Sequence, residues 1–210
     1  MARTYGDRCG VARALDLVGE RWALLVVREL LLGPKRFTDL RAGLPHVGPD
    51  VLSQRLRELE GAGLVERRTL APPSGARVYE LTARGTELEP VILELGRFGS
   101  AAPFPDGDAA FGPDALAIAL KTLYAPGGSG ARTALRRAGQ PFRAEDDGEA
   151  LELGRGEPEA PEATIEAEPG PLAAVLWHGR DLAGAERAGE IAISGRRRAA
   201  TRFLKRFPLP

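Results

Sequence analysis

The chain has 210 residues, of which 43% are hydrophobic and 28% charged, a balance that belongs to folded globular proteins and excludes disordered and collagen-like chains. Its 29 basic and 29 acidic side chains cancel. No overall positive charge therefore points to nucleic acid, and any such function must rest on where the charges lie.

Arg8-Cys9-Gly10 precedes a first short helix over Val11 to Val18, and Arg21 to Leu32 gives a second, ended by Gly33-Pro34 because proline cannot continue the hydrogen-bond ladder. Phe37 to Ala42 makes a third, stopped by Gly43 and Pro45. The next stretch, GPDVLSQRLRELEGAGLVERR from 48 to 68, carries more instructions. Gly48 serves as N-cap, Pro49 fits the first turn where its missing N–H has no partner anyway, and Asp50 suits the positive end of the helix dipole. Leu52, Leu56 and Leu59 recur at i, i+4 and i+7 and form a buried stripe. Asp50, Ser53, Gln54 and Arg57 must then point outward, with Arg55 beside them. Leu64 to Arg68 and Arg77 to Leu81 alternate as two strands, joined by a long turn holding Pro72-Pro73 and Gly75. From Thr82, which can cap, Leu88, Val91, Ile92, Leu95 and Phe98 mark a last helix, with Pro90 either kinking it or moving its start.

Short helices, one capped helix with a polar outer face, and an arginine-bearing hairpin together describe a winged helix-turn-helix. The major groove of DNA admits one helix whose outward side chains reach base edges, while the hairpin meets phosphates or the neighbouring minor groove. Gln54 can pair with adenine. Arg57 or Arg55 can pair with guanine, and either can equally grip phosphate. Arg67, Arg68 and Arg77 sit at the base of the hairpin, as DNA contacts or as solvated strand charges. Lys35 and Arg36 precede a helix start, where free N–H groups also favour phosphate. Trp22 is read as core.

The segments CGVARALDLVGERWALLVVRELLLGPKRFTDLRAGLP, LSQRLRELEGAGLVERR and VYELTARGTELEPVILEL resemble the HxlR-type winged-helix transcriptional regulators over residues 9 to 98. The resemblance implies a homodimer held by the first and last helices of the DNA-binding domain, acting on promoter DNA. Gly48 stands where that family usually has a capping serine, and Arg97-Phe98 lie where a tryptophan is common. Some members sense oxidants through a cysteine placed like Cys9, which marks it as a candidate redox residue. A useful thiolate needs neighbouring positive charge, and Arg8 and Arg13 are close in sequence. The plainer reading is a small, partly buried residue at the dimer interface.

Gly99 to Asp108 breaks the periodicity with small residues, prolines and glycines, and reads as a linker. Beyond it, Phe111 to Tyr124 forms a helix that buries Leu116, Leu120, Leu123 and Tyr124, and a second helix to Ala138 follows. Phe142 to Glu145 and Ala150 to Leu153 alternate around Asp147-Gly148, the signal of a two-residue hairpin, and Ala163 to Ala167 alternates again. Pro171 to His178 and Asp181 to Ala188 read as helices, Ile191 to Ser194 as a strand, and Arg198 to Phe207 as a closing amphipathic helix. PLAAVLWHGRDLAGAERAGEIAISGRRRAATRFLKRF is similar to the closing half of a sterol carrier protein-type domain, which implies a sheet and helices enclosing an apolar ligand cavity. The residues of that pocket are not fixed by the sequence. Trp177 either lines it or packs. Arg196-Arg197-Arg198, Arg202, Lys205 and Arg206 read first as a solvated charge run, with phosphate binding as the alternative.

No nucleophile elbow, phosphate loop or dinucleotide fingerprint occurs, so no catalytic residue and no cofactor is expected. His178 is taken as a surface or capping residue. One cysteine with His46 and His178 cannot assemble a zinc site, so no metal is expected. The richest apolar stretch, Trp22 to Val27, is far short of a membrane span. Met1 to Asp7 lacks the apolar run of a secretory signal, so no membrane and a cytoplasmic location are expected.

The expected fold class is α+β: a winged helix-turn-helix domain over 1–99, a linker over 100–110, and an α/β sterol carrier protein-like domain over 111–210. The expected function is a homodimeric regulator that binds double-stranded DNA, modulated by an apolar small molecule in its second domain. The competing expectation is a small-molecule or lipid carrier whose winged helix serves for dimerisation.

Overall fold

The computed structural model describes residues 4–102, 112–127, 130–137 and 140–210. Two compact units divide at Ile92 and Leu93, inside a helix and ahead of the break in composition. The linker expected over 100–110 lies, apart from its first residues, outside the described residues, as does Phe111.

In the first unit, α1 runs Gly10–Val18, α2 Ala23–Leu30, α3 Phe37–Gly43 and α4 Pro49–Gly61. Leu52, Leu56 and Leu59 are fully buried, and they seat α4 on α2 and α1. Burying three leucine side chains contributes roughly 5–9 kcal/mol before entropic costs. Helix α4 ends where Gly63 adopts a φ of 69°, a left-handed turn that costs other residues a steric penalty. Strands β1 (Val65–Thr69) and β2 (Arg77–Leu81) pair antiparallel, with Arg67 opposite Tyr79 and Thr69 opposite Arg77. The backbone of Lys35 adds a third, one-residue strand, donating to Tyr79 O at 2.9 Å and accepting from Tyr79 N at 2.8 Å.

Thr82 caps a short helix α5 (Ala83–Thr86), and α6 follows over Glu89–Ser100. Pro90 therefore resets the helix start instead of kinking one long helix, since it occupies the first turn of α6. Trp22 departs from expectation. It is half-buried at the N-cap of α2 with a left-handed φ of 78°, and the Arg21 guanidinium lies 5.2 Å from its ring.

In the second unit, α7 (Pro113–Leu123) precedes four consecutive strands: β3 (Ala131–Arg137), β4 (Gln140–Asp146), β5 (Leu151–Arg155) and β6 (Ala163–Ala167). Helices α8 (Pro169–Trp177) and α9 (Leu182–Arg187), strand β7 (Ile191–Gly195) and helix α10 (Arg197–Leu204) complete it. The sheet order is β5-β4-β3-β6-β7, with β3 and β6 parallel and the other pairs antiparallel.

The helix expected up to Ala138 is instead β3, the central strand. The helix-favouring run of alanine, leucine and arginine yields because pairing on both sides outweighs a weak intrinsic preference. The two-residue hairpin at Asp147-Gly148 is a longer loop, 147–150. Asp147 Oδ1 closes it by accepting from Glu149 N at 2.8 Å and Ala150 N at 2.7 Å. One sheet face is buried through Leu135, Phe142, Ala144, Ala163 and Ile165. On the other face Arg143 and Glu166 are exposed while Ala134 of the central strand is fully buried. Trp177 packs: its Nε1 donates to Phe207 O at 3.0 Å.

Candidate nucleic-acid interface

The alternation of α4 leaves Asp50, Gln54 and Arg57 exposed and Ser53 half-exposed while the leucines face inward. Side chains on the outer face are organised among themselves. Arg57 donates to Gln54 Oε1 at 2.7 Å, Gln54 Nε2 donates to Glu58 Oε1 at 2.7 Å, and Arg55 pairs with the other Glu58 oxygen at 2.5 Å. Arg55 is only 14% exposed and also lies 3.4 Å from Glu20, so it sits at the edge of the face. Glu58 is absent from the residues picked out of the sequence. Its i+4 spacing from Gln54 and i+3 spacing from Arg55 were the available signals.

The hairpin arginines are likewise engaged. Arg67 meets Glu60 through two contacts, at 2.9 and 3.0 Å, and stacks 5.1 Å from the Tyr79 ring. Arg68 forks onto Glu80 at 2.6 and 2.7 Å. Both remain about half exposed, whereas Arg77 is exposed at the distal end of β2. The arginines are the open halves of these pairs, since Glu60 is 25% and Glu80 19% exposed.

Lys35 is corrected. Its side chain is 7% exposed and its Nζ lies 2.5 Å from Glu29 Oε2, with Glu29 itself 1% exposed and held also by Arg28 at 2.8 Å. A buried ammonium satisfied by a buried carboxylate cannot reach a phosphate; it ties the turn before α3 to α2. Gly43 makes room for that carboxylate, since a Cβ there would fall 2.2 Å from Glu29 Oε2. Arg36, next to it, is exposed at the N-cap of α3, and its backbone N–H donates to Asp39 at 3.1 Å.

Cys9 is the N-cap of α1 and is exposed, not partly buried; its N–H donates to Asp7 Oδ1 at 2.9 Å. Apolar side chains nearby and on α6 are also bare: Val11 and Leu15 on α1, and Val91, Leu95 and Phe98 on α6, the last 84% exposed. Among the described residues no group of three or more His, Cys, Asp or Glu side chains is placed to hold a metal ion. No helix among them is long and apolar enough to cross a membrane.

The second unit contains a small apolar cleft, partly open to solvent, with a cavity of about 30 Å³ between its walls. Leu116, Ala117 and Leu120 of α7 face Leu135, Phe142 and Ile165 of the sheet across it. One end is braced by Asp114, which is buried and accepts from Arg155 at 2.9 and 2.8 Å. His178 is exposed and outside the cleft lining.

A helix presenting polar side chains beside a two-stranded wing defines the first unit as a winged helix-turn-helix. The chain belongs to the HxlR-like helix-turn-helix family, whose profile matches residues 17–104. It is 38% identical to the uncharacterized HTH-type transcriptional regulator YvaP of Bacillus subtilis over 89 residues, covering 42% of this chain and 82% of that protein. The HTH-type transcriptional regulator YodB of Bacillus subtilis is also 38% identical, over 82 residues, 39% of this chain and 73% of YodB. The solved reduced form of YodB superposes on 49% of this chain and all of its own, at 34% identity and a TM-score of 0.41.

Proposed function

We propose that this HxlR-family protein is a homodimeric transcriptional regulator that binds double-stranded DNA through α4 and the β1–β2 wing. The observation that carries the reading is the division of α4: leucines buried on one side, Gln54, Arg57 and Asp50 exposed on the other. The names of the related proteins support it. On this reading Gln54 and Arg57 reach base edges, Ser53, Arg55 and Arg36 flank them, and Arg67, Arg68 and Arg77 meet the phosphate backbone. Mapping the bound sites across the genome of the source organism, then testing those duplexes against Gln54→Ala and Arg57→Ala, decides it. Binding that shows no preference over random duplex rejects it.

The exposed apolar residues Val91, Leu95 and Phe98 along one side of α6, and separately Val11 and Leu15 on α1, support dimerisation, because bare apolar surface marks an interaction site. Cys9, exposed at the start of α1, is the candidate thiol for oxidant control, and Cys9→Ser with and without a mild oxidant tests that role.

The apolar cleft and the order of elements support a sterol carrier protein-like second domain that holds an apolar effector. Such a ligand changes DNA affinity only if it favours one arrangement of the recognition helices over another. Ala117→Leu, which narrows the cleft, is expected to weaken both apolar-probe binding and any effect of the probe on DNA affinity. The same cleft favours a second reading, a carrier protein that uses its winged helix to dimerise. Tight probe binding together with no sequence-selective DNA binding establishes that alternative.

A further inference from the structure

The outer face of α4 carries a continuous hydrogen-bonded row. Gln54 Oε1 accepts from Arg57 at 2.7 Å, Gln54 Nε2 donates to Glu58 Oε1 at 2.7 Å, and the second Glu58 oxygen meets the Arg55 guanidinium at 2.5 Å. Arg55 is the anchored end: it is 14% exposed and reaches Glu20, between α1 and α2, at 3.4 Å. Glu58 is thus placed through a contact to another part of the unit, whereas Gln54 and Arg57 lie exposed.

Chemistry leaves this row only one way round. A guanidinium can only donate and an ionised carboxylate can only accept. The Gln54 amide must therefore turn its oxygen to Arg57 and its nitrogen to Glu58. Each keeps one bond in reserve, because the nitrogen has a second hydrogen and the oxygen a second lone pair. A donor next to an acceptor complements N7 and the N6 amino group of adenine in the major groove, where guanine shows two acceptors. An amide free to rotate turns its NH2 group to guanine O6 or thymine O4 just as well, so a fixed orientation is what makes glutamine selective. Restraint before binding also lowers the ordering cost that a loose side chain adds.

We infer that Glu58 is a positioning residue for base selection: it fixes the Gln54 amide so that α4 prefers adenine at one base pair of its site. The inference rests on the DNA-binding reading above, in which Gln54 reaches a base edge, and adds to it a residue that touches no base. Arg57 does not hold the amide alone, since on that reading DNA draws its guanidinium away. The negative charge of Glu58 repels every duplex alike, so it changes affinity but cancels in the ratio of affinities for two bases.

The test uses the full chain and a mapped site in which each base pair is replaced in turn by the other three, with affinities compared at one salt concentration. Gln54→Ala identifies the pair that Gln54 faces, as the position whose preference it flattens. There the wild type should favour adenine over guanine about tenfold or more, as one bidentate contact allows. Glu58→Ala should cut that ratio to about twofold, a few tenths of the wild-type discrimination on the logarithmic scale, even where affinity for the matched duplex rises. Glu58→Gln should keep the ratio, since its side-chain oxygen still accepts from Gln54 Nε2 without the charge. A Glu58→Ala variant with the wild-type urea midpoint and the wild-type ratio overturns the inference while leaving Gln54 as a base reader. So does a Glu58→Gln ratio as low as that of Glu58→Ala, because charge and not the hydrogen bond would then set the preference. A Gln54→Ala variant that flattens no position overturns it too. Failure of the wild type to select any sequence removes the reading beneath it, and this one with it.

Discussion

Gln54 Nε2 donates to Glu58 Oε1 at 2.7 Å, one turn along α4, while Gln54 Oε1 accepts from Arg57 at 2.7 Å. The two side chains proposed to reach base edges are thus bonded to each other, and Gln54 is also bonded to a carboxylate that, on that proposal, would face phosphate. Glu58→Ala is expected to tighten operator binding on the order of fivefold at low salt, with the gain shrinking as salt screens it. Arg57→Ala is expected to weaken it by about 1–3 kcal/mol and relax one base position. Titration of matched and single-mismatch duplexes measures both effects. An unchanged Glu58→Ala affinity would mean that Glu58 does not compete with DNA.

Glu29 and Lys35 form a buried pair whose partners cannot be removed singly without leaving a charge in the core. Lys35→Met or Glu29→Met should each cost about 3–5 kcal/mol, whereas the double replacement should cost less than their sum, because the charge it leaves without Glu29 is Arg28, which is partly exposed to water. Gly43→Ala should also destabilise, through its clash with the Glu29 carboxylate. Urea unfolding of the four variants tests the set, and an additive double variant would contradict the pairing.

Burial, assisted by its hydrogen bond to Asp146, pushes the Tyr124 phenol from 10.0 up to about 12. A raised value favours the protonated phenol in the folded state. The resulting stabilisation is complete below pH 10 and is lost as pH climbs through 12. Tyr124→Phe should therefore show a shallower alkaline loss of stability than wild type over that window, read from urea midpoints.

On the acid side, the hydrogen bond from Arg197 lowers Glu186 below 4.5, and the backbone N–H groups of Ala150 and Glu149 lower Asp147 below 3.8. Depressed carboxyls stabilise the fold above their unfolded values, and that contribution is lost as pH falls through the folded ones. Carboxyl titration by nuclear magnetic resonance should show Arg197→Gln returning Glu186 upward while Asp147 stays in place.

The proposed dimer can be tested at the exposed apolar row on α6, Val91, Leu95 and Phe98. Leu95→Arg or Phe98→Glu should convert a dimer to a monomer in sedimentation and weaken binding to a two-half-site duplex, without lowering the thermal midpoint of the fold appreciably. Surface changes away from the core usually shift stability by less than about 0.5 kcal/mol. A wild-type monomer at working concentration would reject the dimer.

Local signals determined most of the first unit. The leucine spacing of α4, its Gly48-Pro49 start and the glycines after it specify a helix and its inward side, because capping and periodicity act over one or two turns. They also picked Gln54 and Arg57 as outward. Partners distant in the chain, or several residues off, were beyond that range. Lys35 reads as a surface cation until α2 brings Glu29 beneath it, and Arg67 and Arg68 read as free until Glu60 and Glu80 come alongside. The run that became β3 has helical propensity, and only its pairing with both β4 and β6 makes it the centre of the sheet. Likewise, the basic run near the C-terminus is uniform as text, and only the fold brings Glu162 to Arg196, Glu186 to Arg197 and Asp146 to Arg206. Periodicity fixes which side of an element is apolar, but the neighbour that meets each polar group is chosen by tertiary packing, where burial makes an unmatched charge costly.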